Sequence, residues 1–408
     1  MSDGEEVARE FVSLALRLDR LAPGSIGAFL GDPVLRREIA AGPVPDPAAL
    51  AREVNRLAAR TRAAGLGPHR EAVLLAQLTA LGTTARRLAG QDVPFREEIE
   101  LCLGVSASVG AEDDYRAAHR ELAEVLPGRG RLAARMARQR RGDELAPDRL
   151  SPAVAALTAA LRERAAGPYG LPAGESVGFE MVDEAPWAAL HQHGGTHRSV
   201  VRLNRGARLR AGQLVQLVAH EAYPGHHTEL CRMQDGPLAA VRWREHEVSL
   251  VLSPCSVVSE GLADTGLLAL VGPGWGGWAA DVLAEVGVRM DGELVERVER
   301  VLVALQRVRQ DAALLLHDRR AGARAAARHL RRWLLVDDRR AERMLGFLTH
   351  PVWRAYTSAY VEGHRLVGEH LGAPGPEQLE RHAALVGRPT TPALLHAGAD
   401  VRPNMLRP

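Results

Sequence analysis

An apolar helical stretch, Leu214 to Ala219, runs directly into His220-Glu221-Ala222-Tyr223-Pro224-Gly225-His226-His227. This run places three imidazoles and a carboxylate side by side. Imidazole is the commonest protein ligand for zinc, and a neighbouring glutamate can act as general base on an activated water. In the common His-Glu-x-x-His arrangement the two histidines lie one helical turn apart and share a face. Here the partner of His220 is His226 or His227. An unbroken helix would separate them by roughly 9 to 10 Å along its axis, and metal–ligand bonds of about 2 Å do not bridge that. The helix must break. Pro224 lacks the amide hydrogen and Gly225 tolerates unusual backbone angles, so the break falls where the geometry needs it. The plainer alternative is a Pro-Gly turn that happens to carry histidines.

A second run, Ser259-Glu260-Gly261-Leu262-Ala263-Asp264, follows on another apolar helical pattern. Glu260 and Asp264 are four apart and share a helix face. Burying two carboxylates is costly unless they are paired or bound to metal. Glu260 reads as a third ligand. Asp264 reads as an acceptor for the second ring N–H of a ligand histidine. Acidic residues in the first turn of a helix are the bland alternative.

These runs together resemble the bacterial domain-of-unknown-function family 885, which carries a His-Glu-x-x-Pro-Gly-His-His run and a later Glu-Gly-x-Ala run. That family in turn resembles the gluzincin metallopeptidases. The resemblance implies one zinc ion on His220, His226 and Glu260, with His227 as the alternate second ligand. It also implies Glu221 as general base and Asp264 behind a ligand histidine. Arg198 to Asn204 is similar to the strand that precedes the family's zinc helix. Tyr360-Val361-Glu362-Gly363 is similar to a late Tyr-x-x-Gly helix, which makes Tyr360 the expected oxyanion donor, with Tyr356 second and His364 as helper. Leu262 stands where the family usually has Trp.

The 408 residues suffice for one large domain or two ordinary ones. Formal net charge is +2, which predicts neither nucleic-acid nor membrane attraction. Every basic side chain is arginine. Cys102, Cys231 and Cys255 are odd in number and widely spaced, so free thiols in a reducing compartment are expected. The acidic start, Asp3-Gly4-Glu5-Glu6, lacks a signal peptide's basic and apolar regions, and the expected location is cytoplasmic.

Along the chain, Val7, Phe11, Leu14, Leu18 and Leu21 fall on one helical face. Further helices are expected over 48–66, 71–88, 95–103, 113–126, 129–141 and 152–166, completing a helical half, 1–170. A metal-binding half, 171–408, follows, with the cleft between the two. Strands are expected over 176–183 and 198–204. The His191-Gln192-His193-Gly194-Gly195-Thr196-His197 run between them reads as a loop that lines the cleft. Arg198 to Asn204 reads as a sheet edge against which an extended substrate could pair. Glu97, Glu98 and Glu100, and the charges of 242–247, read as solvated helix faces. A last long helix is expected from His350-Pro351, with Tyr356, Tyr360, His364 and Val367 on one face, and short helices from 373 to the end.

The expectation is a mainly α, gluzincin-like protein with a small antiparallel sheet beside the metal helix. Its expected activity is zinc-dependent hydrolysis of a peptide or peptide-like amide. One alternative is a binding protein on a degenerate peptidase frame. Another is a metal-dependent enzyme tailoring a small metabolite. A carboxylate-bridged bundle needs Glu-x-x-His pairs, and no histidine here has a glutamate three residues before it.

Overall fold

The computed structural model describes residues 2–398 apart from 184, 186 and 241. The first helix, Asp3–Leu21, begins at a capping box: Ser2 accepts from the Glu5 amide, and Glu5 reaches back to the Ser2 amide. Its stripe of Val7, Phe11, Leu14 and Leu18 is buried against helices Pro47–Ala63 and Pro68–Leu88 in a small core that Val248 and Leu250 help to close. A larger core joins Phe95–Leu103, Glu112–Val125 and Pro147–Tyr169 to most of the C-terminal helices. The expected helix over 152–166 is longer at both ends. It includes Pro152 and Pro168 and stops only at Gly170, whose φ of 55° ends the helical path.

Five short strands accompany the helices: β1 Ile26–Phe29, β2 Ser176–Val182, β3 Ala189–Gly195, β4 Arg198–Asn204 and β5 Val248–Leu250. β1 and β5 form an antiparallel pair. The other sheet has the order β2-β4-β3. The expected loop at 191–197 is instead most of β3 and the turn into β4. Thr196 and His197 both take positive φ, 48° and 58°, the conformation that joins a tight antiparallel hairpin. β4 is therefore the central strand and not an edge, with Val201 and Leu203 fully buried. It pairs antiparallel with β3 and parallel with β2. The expected substrate edge at 198–204 is corrected on this ground, because both sides of its backbone are already paired.

Glu97 and Glu100 are exposed as expected, but two carboxylates read as solvated are buried. Glu98 is 1% exposed and meets Arg87 at 3.2 Å and Arg354 at 2.8 Å. Glu245, also 1% exposed, is held in a bidentate pair by Arg70 at 2.7 and 2.8 Å. Arg354 and Arg70 lie far away in sequence from the carboxylates they meet, so the local charge pattern could not reveal them. The last long helix is Thr357–Leu371, starting later than His350-Pro351. Short helices follow at Pro376–Leu385 and Pro392–His396, and residues 399–408 lie outside those described. The helix Pro254–Val271 is long and apolar enough to cross a membrane, but most of it is buried inside this fold and it carries Glu260 and Asp264.

Candidate metal centre and catalytic cavity

The histidine helix, Ala211–Glu221, stops where the sequence requires it to. Ala222 leaves the helical path with φ −112° and ψ −90°. The Tyr223–Pro224 peptide is cis. A new helix, His226–Met233, begins directly after Gly225. Gly225 folds back onto the end of the first helix: its amide donates to the Ala219 carbonyl at 3.0 Å. A Cβ on Gly225 would lie 1.8 Å from the His220 carbonyl oxygen. Only glycine fits there, and for closeness rather than for a left-handed angle. The result is that the rings of His220 and His226 stand perpendicular with centroids 4.7 Å apart.

Glu260 reaches the same point from Pro254–Val271, the glutamate helix. His220 Nε2 is 3.3 Å from Glu260 Oε2, and His226 Nε2 is 3.6 Å from Oε1. One ligand atom from each of the three residues lies within 4.8 Å of the others. Glu260 Oε2 is buried and makes no hydrogen bond, although an imidazole nitrogen stands 3.3 Å away. The two atoms are close without being aligned on each other, as donors to a shared cation are. A carboxylate accepts His220 Nδ1–H: Asp264 Oδ1, at 2.9 Å. Glu229 Oε2 stands 3.5 Å from His226 Nδ1 and is itself held by the Ser259 hydroxyl at 2.5 Å. Such partners turn both Nε2 lone pairs toward the common centre. Asp264 stands where the sequence pattern predicts such an acceptor, whereas Glu229 sits at a spacing from His226 that many solvated helix acids share and carries no such signal.

The electrostatics of this cluster are those of carboxylates around imidazoles. Burial opposes charge on His220, but Asp264 and Glu260 outweigh it and hold the ring well above its ordinary value. Burial likewise opposes charge on His226, and Glu260 and Glu229 carry it up to about 10. Glu260 is held far below the carboxylate range despite burial, chiefly by His226 and His220. A divalent cation offered to this cluster would compete with protons for the same two nitrogens.

A cavity of about 280 Å³ opens in front of the cluster. Glu221, Tyr356 and Tyr360 line it beside the three candidate ligands. Burial is the largest influence on Glu221 and raises its pKa. Tyr356 donates to Glu260 Oε1. Tyr360 stacks obliquely on His220 with ring centroids 6.2 Å apart, and its hydroxyl makes no hydrogen bond among the described residues. Burial and the nearby Glu260 keep both phenols protonated, so both remain donors. β1 and β5 cover the far side through Gly27, Ala28 and residues 248–251.

Two glycines bring these elements together. A Cβ on Gly261 would lie 2.3 Å from the Gly363 carbonyl oxygen, and one on Gly363 would lie 2.2 Å from the Val257 carbonyl oxygen. The glutamate helix and the tyrosine helix, Thr357–Leu371, thus cross backbone on backbone. The glycines of the Glu-Gly-x-Ala and Tyr-x-x-Gly runs are each other's packing partners.

His227 is not part of the cluster. It is fully buried, with Nδ1 2.8 Å from the Ser199 hydroxyl and Nε2 2.7 Å from Glu175 Oε2. Glu175 also accepts from Tyr223 and Arg162. Both nitrogens of His227 are thus engaged elsewhere, which removes it as the alternate ligand. His364 does not line the cavity either. Its Nδ1 is buried without a hydrogen-bond partner among the described residues. The histidine run on β3 divides. His193 bonds Ser199 and Gln234, and His197 bonds Asp235. His191 lines the cavity, its ring 6.2 Å from that of His226 and its Nε2 buried without a hydrogen bond. Strand alternation could have placed His191 and His193 on one face, but not toward the histidine helix.

No family model matches this chain, and no curated protein matches it. Among solved structures it is similar to a "putative lipoprotein" from Colwellia psychrerythraea, with a TM-score of 0.52 and 13% identity, over 86% of this chain and 68% of that one. A likeness at that identity concerns the fold alone.

Proposed function

We propose that this protein is a zinc-dependent hydrolase of a peptide or peptide-like amide bond, akin to domain-of-unknown-function family 885 and the gluzincins. The observation that carries the reading is the convergence of His220, His226 and Glu260 on one point of a cavity that Glu221 also lines. The donor set suits zinc: two neutral-capable imidazoles, one carboxylate, and a buried Glu260 oxygen without a hydrogen bond. A zinc ion held there would supply a Lewis acid that acidifies water and polarises a carbonyl.

The remaining work falls to the chain's own groups. Glu221 takes the proton of the attacking water and hands it to the leaving amine, and its burial-raised pKa suits both directions of that transfer. Tyr360 donates its unpartnered hydroxyl to the oxyanion that forms on the scissile carbonyl. Tyr356 is committed to Glu260 and steadies that carboxylate instead. Asp264 and Glu229 fix the ring orientations. The three unpaired thiols fit a reducing, cytoplasmic setting.

The deciding experiment is elemental analysis of the purified protein beside His220→Ala and Glu260→Gln. About one zinc per chain, lost in both variants, supports the site, and a peptide-library screen with Glu221→Gln as control follows. No zinc in the wild type after zinc is offered overturns the hydrolase reading and leaves a peptidase-like frame used for binding.

A further inference from the structure

A second cavity, of about 420 Å³, lies apart from the first and shares no lining residue with it. One wall is the helix Asp338–Leu348, which presents Arg339, Arg340 and Arg343 together with Met344 and Phe347. The other includes Asn204, Gly206 and Ala207 of the turn that follows β4, and Gln213 at the start of the histidine helix. Gln213 is seven residues before His220, roughly 10 Å along the helix axis, so the two cavities lie toward opposite ends of that helix.

The charge of this cavity is one-sided. Among the described residues, none of the three arginine side chains makes a hydrogen bond or an ion pair. The carboxylate in the lining, Asp183, is engaged by Arg205 at 2.8 Å. Behind the wall stand more cations. Arg210 is buried against Glu299 at 2.9 Å, and Arg140 donates to the Leu334 carbonyl at 3.0 Å. Burial first, and then Arg210, Arg309 and Arg343, pull Arg340 down to about 10. Burial, Arg340 and Arg210 pull Arg140 down to about 9. Glu299 opposes both shifts and Asp337 opposes that of Arg140, but burial and the neighbouring guanidinium groups outweigh them. In a partly desolvated place such a gathering of guanidinium groups is unfavourable unless an anion joins the cluster.

We propose that this cavity is a binding site for a phosphate group, taken by the side chains of Arg339, Arg340 and Arg343. Guanidinium forks match the several acceptor oxygens of a phosphate better than they match a single carboxylate oxygen. Gln213 makes no hydrogen bond among the described residues and offers an amide donor from the facing wall. Met344 and Phe347 offer an apolar surface beside the cationic one. The same chemistry can come from inorganic phosphate or from a phosphate ester with an organic body, and the two differ in whether that apolar surface is used. The site is independent of the hydrolase reading, since none of its residues lies on the catalytic cavity.

The test is thermal unfolding of the full chain with pyrophosphate, with AMP, and with sodium chloride at matched ionic strength, for the wild type and the double variant Arg340→Met, Arg343→Met. A ligand that binds only the native state raises its melting temperature in proportion to occupancy. The expected result is a concentration-dependent rise with a phosphate compound, absent with chloride and lost in the variant. In the absence of ligand the variant should melt no lower than the wild type, because two repelling charges have gone. A larger effect of AMP assigns an ester, and an equal effect of pyrophosphate assigns the inorganic anion. No rise beyond that of chloride, or an equal rise in the variant, overturns the site. An unchanged far-UV circular dichroism spectrum of the unliganded variant shows that the fold is intact, whatever the first cavity holds.

Discussion

At the scale of single residues, the proposed function would separate metal binding from chemistry within the cluster. Glu221 lines the cavity but is not one of the three converging ligands. Glu221→Gln should therefore keep its metal while amide hydrolysis falls by roughly 10²- to 10⁴-fold, read as zinc content beside turnover of a peptide pool. Loss of zinc in that variant would make Glu221 a ligand instead. His191 carries a separate expectation. Burial holds its pKa well below the ordinary value, so it stays neutral, and its Nε2 has no hydrogen-bond partner among the described residues. If the cavity holds the proposed reaction, a neutral imidazole left unpaired there is placed to bond the substrate. His191→Ala should lower kcat/KM about 10²-fold with zinc content unchanged. Kinetics equal to wild type would reduce it to a packing residue. Gly225 is the residue on which the break depends. In Gly225→Ala the new methyl collides with the His220 carbonyl, and a loss of about 3 kcal/mol or more in urea unfolding is expected, together with loss of zinc.

At the scale of elements, the site is an agreement between four helices. The histidine helix supplies His220 and Glu221, the helix His226–Met233 supplies His226 and Glu229, the glutamate helix supplies Glu260 and Asp264, and the tyrosine helix supplies Tyr360, with Tyr356 at its N-terminal cap. The crossing at Gly261 and Gly363 sets the distance between the last two. Gly363→Ala should push them apart, costing about 1–3 kcal/mol and weakening the Tyr356–Glu260 bond without touching a ligand. A chemical-denaturation midpoint equal to wild type would show that the crossing has slack. The sheet contributes differently. β4 anchors the core while β3 brings His191 to the cavity. Reading β4 as the open edge failed because alternation along a strand reports its faces and not which neighbours pair with it.

At the scale of the whole molecule, buried neutral histidines couple stability to pH. Burial lowers His246 and His382 to about 4. His382 Nδ1 accepts from the Tyr169 hydroxyl at 2.7 Å, and its Nε2–H donates to the Leu262 carbonyl at 2.9 Å. In the unfolded chain these groups return to about 6.5. Between 6.5 and 4 the unfolded state therefore binds more protons, so stability rises with pH through that window and is lost on acidification. Each group contributes a slope of about 1.4 kcal/mol per pH unit. His382→Gln should be less stable than wild type at pH 7.5 yet lose less between 7.5 and 5. Parallel urea midpoints for the two proteins across that range would remove His382 as a source. The two cores matter here as well. Glu98 and Glu245 each tie distant segments together, through Arg354 and Arg70.

Sequence alone determined the local chemistry: a helix that must break between His220 and His226, two carboxylates sharing one face at Glu260 and Asp264, and a tyrosine pair on a later helix. These follow from backbone periodicity and from what Pro and Gly allow, which act within a few residues. Only the tertiary structure decided between His226 and His227, since both follow the break and the choice depends on Glu175 and Ser199 occupying His227. It alone gave Tyr356 to Glu260, turned His191 into the cavity, and gathered unpaired arginines around a second one. Each of those outcomes rests on contacts between segments far apart in the chain, and hydrogen bonding and charge pairing act through space, where local pattern carries no record of them.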